Sequence, residues 1–131
     1  YFQHWLDIGK KEGAVLPKIF CVNWFRKTAD GRWLWPGFGD NSRVLKWIFE
    51  RCDGEGEAVE TPIGYMPTLN AIDRTGIEDE VSEADMKELL AFDKEGWVKE
   101  ADMIEEHYKK FEKLPKELAD QLAALKARLA K

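Results

Sequence analysis

The strongest constraint on this chain is a cluster of aromatic residues divided by a turn signal. Five aromatic side chains fall within fifteen positions: Trp24, Phe25, Trp33, Trp35 and Phe38. The dipeptide Asp30-Gly31 between them is typical of a tight turn, so we expect the flanking segments to fold back and face each other. Adjacent side chains of an extended segment point to opposite faces, so Trp24 and Phe25 cannot both enter one core. A ligand or the C-terminal helices must then cover the second face.

The second arm of this turn is interrupted by Pro36-Gly37 and Gly39, and Asn41-Ser42 offers an N-cap for a following helix. Such a segment suggests two aromatic walls, a phenylalanine between glycines and an amide beside a helix start. A nucleotide base could stack on these rings while hydrogen bonds read its edge. The alternative is that all the aromatics are core, because buried rings stabilise small domains. The chain would then be a non-catalytic structural or interaction module.

The rest of the pattern predicts an α+β fold with a short N-terminal helix, a few strands, one central helix and a C-terminal helical tail. The expected elements are a helix over 1–10, a strand over 16–25, a helix over 42–52 and an edge strand or extended segment over 58–66. The helix over 42–52 carries an apolar stripe of Val44, Leu45, Ile48, Phe49 and Cys52. In the tail, Ser82 with Asp85, then Asp93 and Pro115, mark helix starts. We expect residues 1–75 to carry the aromatic site and residues 76–131 to pack on them as one structural unit.

Charge and cysteine content narrow the class of partner. Residues 1–51 carry nine Lys and Arg against five Asp and Glu, whereas residues 52–131 carry eleven against twenty. A basic half that holds the aromatics suits a polyanionic nucleotide. The sequence contains no dense basic stripe, so we do not expect nucleic acid as a partner. No apolar run is long enough to predict a membrane span. Cys21 and Cys52 suggest no disulfide framework, so a cytoplasmic location is expected, with Cys21 as a buried thiol.

Two segments of the chain, 16–27 and 33–45, resemble the GTP-dependent phosphoenolpyruvate carboxykinases. The run Trp-Pro-Gly-Phe-Gly-Asp-Asn-Ser-Arg over 35–43 is the most specific part of the match. The resemblance covers the whole chain but only the carboxy-terminal portion of a family member. It therefore implies a fragment of a larger nucleotide-binding domain, and we expect the fragment alone to be inactive.

The resemblance also implies a reaction and a site. Family members convert oxaloacetate and GTP to phosphoenolpyruvate, carbon dioxide and GDP in gluconeogenesis, using Mn²⁺ or Mg²⁺, and are expected to be monomeric. By this resemblance Phe25 and Phe38 sandwich the guanine, and Trp33 closes its edge in place of the usual phenylalanine. The guanine-lining segment comprises Phe38, Gly39, Asp40 and Asn41. The Asn41 amide and nearby backbone would meet the polar edge of the base, which offers an acceptor at O6 and donors at N1 and N2.

The family's other functional residues have no counterpart in the chain. The phosphate-binding glycine-rich loop with its lysine, the metal ligands, the oxaloacetate-binding arginine and the mobile lid are all missing from these residues. We therefore predict no catalytic residue and no metal ligand within the chain. A guanine-nucleotide partner and the rest of the parent enzyme are the expected partners, and a standalone enzyme is the poorest hypothesis.

Overall fold

Helices form most of the regular structure in the computed structural model, which describes all 131 residues. The elements in chain order are α1 (Phe2–Gly9), a 3₁₀ turn (Phe38–Asp40), α2 (Asn41–Cys52), β1 (Ala58–Thr61), β2 (Gly64–Pro67), α3 (Glu83–Leu89), α4 (Lys94–Tyr108) and α5 (Lys116–Leu129). The strands β1 and β2 pair as an antiparallel hairpin in which Val59 lies opposite Met66. The predicted α+β class is confirmed. No helix combines the length and the apolar character that a membrane crossing requires.

The chain divides into two compact units. The central unit is Lys18–Phe92, and the terminal unit combines Tyr1–Pro17 with Asp93–Lys131. The predicted boundary at residue 76 falls inside the central unit, because α3 contributes Met86 to the same core as Trp35. As a statement about domains, the division into 1–75 and 76–131 stays a prediction.

The core of the central unit is built around two tryptophans. Its buried members are Trp35, Trp47, Ile72, Ile77, Val81 and Met86. On α2 the buried ring is Trp47, whose indole Nε1 donates to the carbonyl oxygen of Glu57 at 2.9 Å. The expected stripe on this helix is only partly right. Val44 and Ile48 pack against the core, whereas three other stripe residues lie exposed: Leu45, Phe49 and Cys52.

Two expectations about strands change in the structure. Residues 16–25 form no strand, and Cys21 is exposed rather than buried. A strand needs a neighbour to receive its backbone hydrogen bonds, and no other segment of the chain pairs with this one. The segment over 58–66 contains nearly a whole hairpin rather than one edge strand, because residues 62 and 63 form the turn that joins β1 to β2.

The predicted helix starts after residue 76 are confirmed. Ser82 Oγ accepts from the backbone N–H of Asp85 while the Asp85 carboxylate accepts from the backbone N–H of Ser82, which is a complete capping box. At the start of α4 the Asp93 carboxylate accepts from the backbone N–H of Gly96. Pro115 directly precedes α5. In each case a local signal suffices, because a cap satisfies backbone groups that lie within the same turn.

The terminal unit is an assembly of α1, α4 and α5. Ala101 and Leu129 are its buried apolar residues. Lys126 of α5 donates to Asp102 at 2.8 Å and to Glu105 at 3.1 Å, both on α4. These pairs are exposed and contribute little stability, but they fix which faces of the two helices meet.

Candidate nucleotide-base site

The predicted turn at Asp30-Gly31 is present and brings its two arms together. Lys27 and Trp33 form an antiparallel β-bridge across it. Backbone hydrogen bonds flank this bridge, from Thr28 N to Arg32 O at 2.9 Å and from Leu34 N to Arg26 O at 3.1 Å. Gly31 has a φ of 91°, which side chains with a Cβ rarely adopt. The aromatic residues before and after the turn therefore lie on adjacent backbone segments, as the sequence predicts.

Two of the predicted site rings meet at this turn. The ring centroids of Phe25 and Trp33 are 6.3 Å apart, with an angle of 63° between the ring planes. Both rings remain open to solvent, at 75% exposed for Phe25 and 48% for Trp33. The Nζ atom of Lys27 lies 4.0 Å from the centroid of the Trp33 ring, a cation–π contact that holds the indole in place. The hypothesis that all the aromatics are core is therefore wrong.

Phe38 is the most unusual residue of the predicted site. Its side chain is 99% exposed, and it is the one non-glycine residue with a positive φ, at 25°. Gly37 before it has a φ of 85°, so the backbone reverses over two residues. A Cβ built on Gly39 would meet no atom within 4 Å, which leaves the space beside the ring open. Strained conformations of this kind cost free energy and cluster at sites where a ligand is held.

Asn41 takes a different local role from the predicted one. It is the first residue of α2 rather than its cap, and the cap position belongs to Asp40, which makes no side-chain cap hydrogen bond. The Asn41 side chain turns instead toward the core, where Oδ1 accepts a hydrogen bond from Trp35 Nε1 at 3.1 Å. Ser42 Oγ donates to the carbonyl oxygen of Gly39 at 2.8 Å and so closes the 3₁₀ turn.

Arg43 fixes the start of α2 against a neighbouring loop. Its Nε donates to Asp40 Oδ1 at 2.9 Å, and its two Nη atoms donate to the carbonyl oxygens of Asp73 and Thr75, each at 3.0 Å. A planar guanidinium with three oriented donors holds its partners more rigidly than an ammonium group can. Asp40, a predicted site residue, is therefore committed to an internal ion pair. The spacing of Asp40 and Arg43 on a helix start is the sequence signal for this pair.

The aromatic turn is joined to α3 by two arginines. Arg32 Nη2 donates to Asp85 Oδ1 at 2.6 Å, and Arg26 Nη1 donates to the carbonyl oxygens of Glu88 and Leu89 at 2.9 and 3.0 Å. The hydrogen bond from Arg32, followed by that from Ser82, lowers the pKa of Asp85 to about 2. The same contact raises the pKa of Arg32. Arg32 thus binds near the start of α3 and Arg26 binds its end, so both arms of the aromatic turn are attached to this helix.

The six predicted site residues therefore lie in two groups. Phe25 and Trp33 sit on the turn, and residues 38–41 lead into α2. The Phe38 ring pairs with no other aromatic ring. The link between the groups is Trp35, another member of the aromatic cluster. It follows Trp33 by two positions and hydrogen-bonds to Asn41. No pattern in the sequence alone identifies that hydrogen bond, because it depends on the path of residues 36–40.

The donor set for a metal ion is missing from the chain. Nowhere do three or more His, Cys, Asp or Glu side chains cluster in a way that could hold a metal. The residues present therefore do not fit the Mn²⁺ or Mg²⁺ that the resemblance implies for the family.

Comparison with known proteins decides the family. The family model described as the phosphoenolpyruvate carboxykinase C-terminal P-loop domain matches residues 1–128. The chain belongs to this carboxykinase family. Its relatives named phosphoenolpyruvate carboxykinase [GTP] include one from Treponema pallidum strain Nichols, 55% identical over 98% of the chain. The cytosolic enzyme of Bos taurus is 48% identical over 99% of the chain, and the Thermoplasma volcanium enzyme is 44% identical over 98%.

The match covers a limited part of each carboxykinase. The chain spans about a fifth of the length of these relatives, 21% in each case. The P-loop in the family model's description has no Gly-x-x-x-x-Gly-Lys-Ser/Thr counterpart among these residues. The chain therefore corresponds to a C-terminal portion of a larger carboxykinase.

Proposed function

We propose that this chain is the guanine-binding portion of a GTP-dependent phosphoenolpyruvate carboxykinase. The whole enzyme would be a cytoplasmic, monomeric lyase of gluconeogenesis that converts oxaloacetate and GTP to phosphoenolpyruvate, carbon dioxide and GDP. Its Mn²⁺ or Mg²⁺ ligands, its phosphate-binding loop and its catalytic residues would lie in the remainder of the protein. The observation that carries the proposal is Phe38, whose backbone is strained and whose ring is fully exposed, three residues before the half-buried Asn41.

In this proposal, the affinity for the base and the discrimination between guanine and adenine come from different groups. Phe25 and Phe38 stack on the faces of the guanine and Trp33 closes its edge, which contributes on the order of 1–3 kcal/mol per base face. Stacking does not distinguish guanine from adenine, because every base has an aromatic face. Asn41 and the backbone of residues 38–40 supply the hydrogen bonds that do. The open space beside Gly39 admits the base close to the backbone.

The charge at this end of α2 favours the base over the phosphates. A helix start normally attracts anions through its free N–H groups. Here Asp40 occupies the cap position, and its carboxylate is held there by Arg43 at 2.9 Å. The phosphates would therefore point away from α2, toward the part of the enzyme that carries the phosphate-binding loop.

Substitution of Phe38 by alanine in the full-length enzyme tests this proposal. We expect the dissociation constant for GDP to rise roughly five- to 150-fold, which corresponds to the loss of 1–3 kcal/mol of stacking. Phe49→Ala is the matched control. Like Phe38, Phe49 is an exposed phenylalanine, but it lies on α2 and is not assigned to the site. Isothermal calorimetry of both variants would give the values. Equal losses in the two variants, or none in Phe38→Ala, would refute the stacking role.

A further inference from the structure

The orientation of the Asn41 amide is fixed from inside the core. Trp35 is 6% exposed and packs in the central core, so its indole cannot rotate without opening that core. Its Nε1 is a donor with no acceptor capacity. The group that faces it at 3.1 Å must therefore be the Asn41 oxygen, Oδ1, and not the amide nitrogen. The two ends of an amide have nearly the same shape, so the hydrogen bond from the indole is what distinguishes them here.

The other end of the amide is left to a ligand. The Asn41 nitrogen Nδ2 has no hydrogen-bond partner within the protein, and no buried side-chain nitrogen or oxygen lacks one, so this nitrogen is open to solvent. An amide nitrogen donates two hydrogen bonds and accepts none. The face that Asn41 presents outward is therefore a pure donor. It selects a base whose facing atom is an acceptor.

We infer that Trp35 is a specificity-positioning residue that turns the Asn41 amide so that Nδ2 reads the O6 atom of a 6-oxopurine. This inference rests on the proposed function of the site. Guanine and hypoxanthine both present an acceptor at position 6, whereas adenine presents an amino donor there. Two donors facing each other leave a buried polar group unsatisfied, which disfavours adenine. The 2-amino group of guanine is not read by Asn41, and its recognition falls to backbone carbonyl groups.

Two substitutions test the direction of this hydrogen bond in the full-length enzyme. Trp35→Phe keeps an aromatic ring in the core but removes the donor, so the amide is free to reverse. Asn41→Asp keeps an acceptor for Trp35 and replaces the outward donor by an acceptor. Trp47→Phe is the matched control for the first variant, because Trp47 is equally buried in the same core and donates to Glu57 instead. The measured quantities are the dissociation constants of GDP, inosine diphosphate and ADP.

The expected changes in binding affinity have opposite signs for GDP and ADP. In Trp35→Phe we expect GDP to bind roughly three- to tenfold more weakly and ADP to bind more tightly, since a reversed amide can accept from the 6-amino group. Asn41→Asp should shift the GDP/ADP preference in the same direction by at least about tenfold. The ratio of GDP to inosine diphosphate affinity should stay unchanged in Trp35→Phe. Trp47→Phe should alter none of these ratios.

Each contrary result identifies what has failed. A wild-type enzyme without preference for GDP over ADP would refute the proposed function itself. A wild-type preference that Trp35→Phe leaves intact, or an equal weakening of GDP and ADP, would make Trp35 a core residue and overturn the inference. Tighter GDP binding by Asn41→Asp would show that Asn41 reads the N1 and N2 donors through an oxygen. If Trp35→Phe does not fold, an unchanged GDP/ADP preference in Asn41→Asp would overturn the inference, because the outward end of residue 41 would then read neither base.

Discussion

The ion pair between Arg32 and the buried carboxylate of Asp85 should make the stability of this chain depend on pH. The pKa of Asp85 is lowered from 3.8 to about 2 by the hydrogen bonds from Arg32 and Ser82. One pKa unit corresponds to about 1.36 kcal/mol. The shift therefore limits the contribution of the Asp85 carboxylate to the free energy of unfolding to about 2.4 kcal/mol. The Arg32 side chain is about half exposed and therefore partly screened, so we expect about 1–2 kcal/mol.

The sign of this dependence follows from the lowered pKa. The stabilisation is fully present above the unfolded-state pKa of about 4, and it is lost as the pH falls toward the folded-state pKa of about 2. In Asp85→Asn the carboxylate is absent at every pH. The wild-type chain should therefore be more stable than the variant at pH 7, and the two should converge as the pH approaches 2.

Urea denaturation of the 131-residue chain, followed by tryptophan fluorescence between about pH 2.5 and 7, measures this difference. Glu83→Gln is the control, because Glu83 also has a lowered pKa but its ion pair with Lys87 is exposed. That variant should keep the wild-type midpoint. A difference between wild type and Asp85→Asn that stays constant across the pH range would refute the reasoning, since the loss would then come from packing or capping and not from charge.

Two further predictions concern the segment that leads into α2. Gly37→Ala should destabilise the chain by about 1 kcal/mol, because φ is 85° there, whereas Gly39→Ala should change stability little, because its Cβ would meet open space. If Gly39 borders the base, Gly39→Ala should still weaken GDP binding, and unchanged GDP affinity in calorimetry would remove Gly39 from the site. Asn41→Ala should weaken GDP binding roughly three- to tenfold and leave ADP binding unchanged. A parallel loss for both nucleotides in the same titration would mean that Asn41 only supports the fold.

Local signals in this sequence predict local structure well. The turn at Asp30-Gly31, the capping box of Ser82 with Asp85 and the cap at Asp93 are all confirmed, because each satisfies hydrogen bonds within a few residues. The family resemblance, carried by residues 16–27 and 33–45, is also confirmed by the match over residues 1–128. Patterns that extend over a few residues need no knowledge of the tertiary fold.

Predictions that required a distant partner were less successful. The apolar segment over 16–25 has strand-like composition but no strand to pair with in this chain, so its hydrogen bonds cannot form a ladder. On α2 the periodicity favoured Leu45 and Phe49 as core residues, yet the buried ring is Trp47, which reaches Glu57 across the unit. The contact between Trp35 and Asn41 belongs to the same class. It depends on how the backbone reverses at Gly37, which composition does not specify.

We propose that the aromatic turn and the start of α2 together bind a guanine base. The most direct test of this proposal is a tryptophan-fluorescence titration of the full-length enzyme with GDP and, separately, with ADP, repeated with Phe38→Ala. The fluorescence of Trp33 should change when the base binds, because its ring contacts Phe25 and is half exposed. We predict saturable quenching by GDP, much weaker quenching by ADP, and a large loss of GDP affinity in Phe38→Ala. Equal binding of the two nucleotides, or GDP binding that Phe38→Ala leaves unchanged, would contradict the account.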